Sequence, residues 1–257
     1  MTAKIITLLS VASLLFSPSA SFAQAPPAFA LDMDVGLNAY QALVEEHLVG
    51  IMNGLKALAD TEEAASASWE RIRIPLEEFS KNVPTQAAVW FAKSDGSYLT
   101  VEKGMRGESL KDRAYFSTLM SGKDVDGVLV VSKSTGERSI IVATPIVKNG
   151  LVIGALGASL SATHLAKRVS DKIGFPQNVV FYALDAEGQT ALHRDSALIF
   201  EFPSDIGDQS LKSAVKEMLS EPKGSVEYSF RNVRRTAHFQ KSKATGWIFV
   251  LGVAHAS

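Results

Sequence analysis

At 257 residues, with 26 Lys+Arg against 27 Asp+Glu, the chain carries a formal net charge of −1, which excludes the strong positive field of a nucleic-acid or anionic-membrane binder. It has 0 Cys, so disulfide frameworks, lipid-modified cysteines and thiol-based metal or redox chemistry are excluded, and the fold must rest on its apolar core.

In chain order, Lys4 precedes IITLLSVASLLF and then the small-residue run SPSASFAQA, the three-part layout of a secretory signal peptide over residues 1–23, with cleavage after Ala23. The apolar run falls short of the ~20 residues needed to cross a bilayer, and a retained anchor is the alternative. The later apolar stretch LVIGALGASLSATHLA reads as a buried strand running into a helix, so the mature chain is expected to be periplasmic or secreted. After the linker APPAFA, apolar residues from Leu43 to Leu58 recur at spacings of three and four, predicting a long helical region over 34–82 that Pro75 interrupts or kinks. QAAVWFAKSDGSYLTVE then reads as a hairpin around SDG, and a helix carrying Arg113 follows. GVLVVS, RSIIVATPIV and LVIGALGASL are three strands joined by the turns KSTGE and KNG, and a helix from Thr163 to Ile173 ends at Gly174 and Pro176.

The remainder repeats this plan: a strand pair around AEG, the helix DQSLKSAVKEMLS, and strands GSVEYSF, RTAHFQKS and WIFVLGV. Turn residues align at nearly constant offsets, Gly96 with Gly188, Gly136 with Asn232 and Gly150 with Gly246, although side chains barely match. The fold class is α+β: a long N-terminal helix, a first module at 84–175 and a second at 177–254, each a five-stranded antiparallel sheet with flanking helices.

Catalytic patterns are incomplete. GALGASLSA offers Gly157, Ser159 and Ser161, but Ser161 stands where a nucleophile elbow needs glycine. Ser213 and Lys216 form an S-x-x-K whose companion KSTG lies in the other module, without an S-D-N. His47, His164, His193, His238 and His255 lack metal-ligand spacing. HRD at 193–195 is a kinase-like triplet without its companions, and RNVRR at 231–235 reads as a solvated turn. The expectation is a non-enzyme without metal or cofactor.

The residues alone admit two readings of DRAYF: Arg113 as a guanidinium fork for a carboxylate beside water-excluding rings, or as a solvated side chain beside core aromatics. The ordered segments DRAYF, STGERSIIVATPI, NGLVIGALGASLS, VVFYALDAEGQT and ATGWIFVLGV resemble the double Cache family, extracytoplasmic PAS-like ligand-binding regions of bacterial chemoreceptors, sensor kinases and cyclic-dinucleotide enzymes. That resemblance implies a ligand in the first module, its carboxylate gripped by an Arg-x-aromatic-aromatic element. Arg113, Tyr115 and Phe116 fall on it, with Tyr for the more usual Trp and Phe for Tyr. Trp90 and Tyr98 line the same cavity or belong to core and exposed strand, Thr144 is equally ambiguous, and Trp247 reads as a core anchor of the second module.

Amino-acid-binding members carry aspartates where Ser132 and Ser159 stand here, and an ammonium group buried without a carboxylate is costly. The implied ligand is therefore a small carboxylate with an uncharged tail, or another small polar molecule. A free-standing exported chain of this kind is expected to act with a membrane-bound kinase or chemoreceptor, and the apolar stripe of its long helix offers a homodimer contact. The alternatives are a solute-binding component of a transporter, a structural or assembly factor, and a hydrolase using Ser159 or Ser213.

Overall fold

The computed structural model describes residues 32–255 apart from 84, 86 and 133–135; the export segment expected at 1–23 and the first three residues of KSTGE lie outside the described residues. Helix α1 (Met33–Ala59) begins where the carboxylate of Asp32 accepts the backbone N–H groups of Asp34 and Val35, two of the donors every helix start leaves unpaired. Its 27 residues make a rod ~40 Å long, enough to lie across two sheets. Near its start, buried Tyr40 packs between Phe181 and Phe249, with ring centroids 5.1 Å apart in each case. Near its end, Lys56 pairs with Asp124 at 2.6 Å. The stripe Leu37, Val44, Leu48, Ile51 and Leu55 is buried within the chain itself, so the apolar face that the sequence offers for a homodimer is already used.

The expected single helical region breaks, but not at Pro75. Hydroxyls in DTEEAASAS compete with the helical ladder: Thr61 Oγ1 donates to Leu58 O and accepts from Ala64 N, while Ser66 Oγ donates to Glu63 O. These contacts end α1, cap a one-turn α2 (Glu62–Ala65) and leave Ala67 left-handed at φ 51° before α3 (Trp69–Asn82). Pro75 sits inside α3, where it forfeits one backbone hydrogen bond, and the flanking turns hold with Arg73–Glu77 and Lys81–Glu78 pairs across the surface.

The first sheet comprises β1 (Ala87–Lys93), β2 (Ser97–Thr100), β3 (Gly104–Ser109), β4 (Val125–Val131), β5 (Arg138–Lys148) and β6 (Leu151–Ser161), in the order β3-β2-β1-β6-β5-β4 and antiparallel throughout. Between β3 and β4 runs α4 (Ala114–Met120), and α5 (Ala162–Ile173) follows β6, ending at left-handed Gly174. The sheet has six strands where five were expected. The extra one, β3, is GMRGES, an edge strand with two glycines and no apolar alternation to announce it.

The second sheet comprises β7 (Val179–Leu184), β8 (Thr190–His193), β9 (Lys223–Phe230), β10 (Val233–Lys241) and β11 (Ile248–Ala254), in the order β8-β7-β11-β10-β9. The short α6 (Pro203–Ile206) and then α7 (Gln209–Ser220), capped by Asp208, precede β9. Strand for strand this is the first sheet without β3. All six turn residues aligned from the sequence have positive φ, from 62° at Asn232 to 88° at Gly96, so the repeat resides in backbone requirements that glycine and asparagine meet.

One contact of β4 joins parts distant in sequence, and one of its carboxyl oxygens is buried. Trp247, 2% exposed, donates its indole N–H to Gly127 O at 3.1 Å, so the expected anchor of the second sheet also reaches the first. Asp126, beside a bulge, has Oδ1 buried without a hydrogen-bond partner among the described residues; burial, then the Asp124 carboxylate, push its pKa up to about 6, with Lys56 opposing. A carboxyl raised in the folded state contributes its full stability below the unfolded value of ~4, and that contribution is lost as pH rises through 6. Asp126→Asn is therefore expected to match wild type at pH 4 and to exceed it at pH 8 by on the order of 1 kcal/mol, allowing for partial exposure; urea unfolding at the two pH values measures this.

Candidate functional site

The face of the first sheet under α4 holds a cavity of about 330 Å³. Its floor is Trp90 on β1 and Ser159 on β6. Adjacent strands bring them together, and the indole N–H donates to Ser159 Oγ at 3.1 Å. The bulk of Trp90 requires Gly157 opposite it, since a Cβ there would lie 2.1 Å from the indole. Tyr115 of α4 stands over the floor with its ring centroid 6.5 Å from that of Trp90, and Tyr98 of β2 closes one side. Burial pushes the Tyr115 hydroxyl up to about 12, Arg113 opposing, so it remains a neutral donor at physiological pH.

Arg113 is not within the helix as expected; it is the N-cap of α4, in extended backbone at φ −84° and ψ 129°. That places its side chain along the cavity wall, where Nη2 donates to Val131 O at 2.8 Å. The bond has a structural role of its own. It covers a carbonyl of edge strand β4, as Trp247 covers that of Gly127, and so helps to protect the edge from pairing. A guanidinium has five N–H donors, and among the described residues no carboxylate pairs with Arg113, so donors remain for a ligand.

Six of the eight residues singled out from the sequence line the cavity: Arg113, Tyr115, Trp90, Tyr98, Ser132 and Ser159. Phe116 and Thr144 do not. Phe116 follows Tyr115 by 100° around α4 and is buried in the core with Leu119 and Val125. Thr144 lies three residues beyond Ile141, a lining residue of β5, and strand alternation turns it to the opposite face, where its hydroxyl donates to Asp124 at 2.8 Å. Sequence reasoning missed the mouth: Lys103 and Arg106 arrive on the unrecognised β3 hairpin, and Glu102 and Glu137 join them. Arg106 lies 3.6 Å from Glu108.

The catalytic alternatives gain no geometry. Ser159 Oγ accepts a bond from an indole, which does not activate a nucleophile, and Ser213 and Lys216 lie exposed on α7. Among the described residues no cluster of three or more His, Asp or Glu side chains is placed to hold a metal, and no helix is long and apolar enough to cross a membrane. His47, beside Thr85, is lowered to about 4 by burial and then by Arg168.

Two like-built antiparallel sheets lie on one long helix, and the first holds an aromatic-walled cavity. The chain belongs to the Cache domain family, whose model matches residues 33–257. Its fold is shared by the ligand-binding domain of the Pseudomonas aeruginosa amino acid chemoreceptor PctB in complex with L-Arg, at 17% identity and TM-score 0.71, over 86% of this chain and 93% of that one. The Pseudomonas fluorescens chemoreceptor CtaA with L-alanine gives 17% identity and TM-score 0.67, over 86% and 93%. The sensory domain of the Campylobacter jejuni chemoreceptor Tlp3 with isoleucine gives 15% and 0.62, over 88% and 91%. A search of curated proteins finds no match.

Proposed function

We propose that this chain is an extracytoplasmic, non-enzymatic sensor that holds a small carboxylate in the cavity of the first sheet and passes its state to a membrane-bound signalling partner. The supporting observation is Arg113, held at one nitrogen by Val131 O beside Tyr115 and Trp90 and paired with no carboxylate among the described residues. A fixed planar fork next to water-excluding rings suits a ligand carboxylate, because both the geometry and the low local dielectric strengthen the bond. In this reading Ser132, Ser159 and the Tyr115 hydroxyl supply neutral hydrogen bonds, while the apolar tail rests on Trp90 and Tyr98.

A second reading, an α-amino acid, draws on Glu102 and Glu137, which bring carboxylates to the mouth that the sequence did not place there. Thermal-shift titration with short monocarboxylates and their matching α-amino acids separates the two. At a hundredfold excess over its Kd the ligand stabilises the fold by ~2.7 kcal/mol, a shift of several degrees. The expected result is a shift from a monocarboxylate that disappears in Arg113→Ala. A shift from the amino acid alone transfers the site to the second reading. No shift from either, or an equal shift in the variant, defeats the binding role of Arg113.

A further inference from the structure

Two sequence fragments without an assigned role, the HRD triplet at 193–195 and the basic cluster at 231–235, meet at one cavity of about 220 Å³ on the second sheet. The tight turn between β9 and β10, with Arg231 and Asn232 both left-handed, folds one fragment toward the other. Arg194 is spent on the structure, donating to the carbonyls of Phe175, Pro176 and Val179. Arg231 pairs with Asp195 at 3.3 Å, so those two charges offset each other.

Arg235 is different. Its Nη1 donates to both Phe230 O and Val233 O, at 2.9 and 3.0 Å, which fixes the guanidinium plane, while Nε and Nη2 have no hydrogen-bond partner among the described residues. His193 is held through the backbone of Asp195. Nδ1 lies 2.8 Å from Asp195 N and 3.1 Å from Asp195 O; the shorter contact, in which the backbone N–H can only donate, favours an accepting Nδ1 and a proton on Nε2. Burial, then the Arg235 and Arg231 charges, hold that ring neutral against Asp195, lowering its pKa to about 4. The cavity is thus lined by a preorganised guanidinium with donors to spare and by a neutral imidazole. Val180, Leu198, Tyr228 and Phe230 form its apolar wall.

We propose that this cavity is a second ligand site, independent of the one on the first sheet, for a small monocarboxylate with a short apolar tail. Three guanidinium groups against one carboxylate leave the cavity cationic, which suits an anion and rejects an amine, the apolar wall suits a short tail over a bare inorganic anion, and the volume admits only a few heavy atoms.

The test uses the full chain and sodium propionate at constant ionic strength, with inorganic phosphate and n-propylammonium as comparisons, read through the imidazole resonances of His193 by NMR. Propionate is expected to shift those resonances saturably and to raise the His193 pKa, because an anion beside the ring stabilises its protonated form. The same response is expected in Arg113→Ala. In Arg235→Gln, binding should weaken at least tenfold. Arg231→Asn keeps the left-handed turn and the Arg235 contacts while freeing Asp195 to repel an anion, and should also weaken binding at least tenfold. The proposal is overturned by no saturable response, by loss of the response in Arg113→Ala, by unchanged affinity in both second-sheet variants, or by phosphate or propylammonium binding in place of propionate.

Discussion

Trp247→Ala should lower the unfolding free energy by ~3–5 kcal/mol, the usual cost of truncating a buried aromatic. In a chain of this size that is a fall in Tm of roughly 10 °C. The indole is 2% exposed, packs beside Phe249 at 6.2 Å between ring centroids, and donates to Gly127 O on β4. Gly127 is matched to it: a Cβ there would come within 3.2 Å of the indole. Trp247→Phe separates the two contributions, since it keeps most of the packing but leaves the Gly127 carbonyl without its donor, at a cost of ~1–3 kcal/mol. Differential scanning calorimetry of the three proteins gives the answer. A Trp247→Ala protein within 1 °C of wild type would mean that this contact contributes little to joining the sheets.

Gly157→Ala should lose both stability and ligand binding through one collision. The new Cβ would lie 2.1, 2.4 and 2.5 Å from Cζ2, Cη2 and Cε2 of Trp90, distances that force the indole to move. Overpacking of this kind costs ~1–3 kcal/mol. Displacing the ring also breaks its bond to Ser159 and pushes it into the cavity it floors, so affinity at the first site should fall at least tenfold. A double-mutant cycle with Trp90→Leu provides the control: the smaller side chain gives the methyl room, so the double variant should be more stable than the sum of the single losses allows. Urea midpoints for the four proteins check the coupling, and strict additivity would show that Trp90 and Gly157 do not interact as described.

Much of this molecule is written locally. The stripe of α1, the hairpin turns and the duplicated strand order follow from residue spacing and from the few residue types that accept left-handed backbone, and all can be read without knowledge of the partner strand. Arg113, Tyr115, Trp90 and Tyr98 could be singled out as candidates, but an arginine beside aromatics serves equally as a solvated neighbour of core rings, and only the resemblance to a ligand-binding family favoured a shared cavity. The helix break was legible in principle, since hydroxyls flanking EEAA announce caps more strongly than Pro75 announces an end.

Other features depended on long-range geometry. Phe116 and Thr144 are of the right type yet face the wrong way, because one residue turns a helix by 100° and three residues carry a strand to its other face. Strand β3, with its two glycines, has no periodicity of its own and exists because β2 provides an edge to pair with; Lys103 and Arg106 reach the cavity only through it. His193 and Arg235, on strands β8 and β10, share a cavity only because the second sheet folds its turns together. The class of fold and the repeat were legible in the residues, since these rest on local backbone preference and amphipathic period. Which side chains share a cavity, which carbonyls of β4 are covered and how Trp247 links the sheets were decided by tertiary structure, because pairing partner and facing direction are properties of the whole sheet.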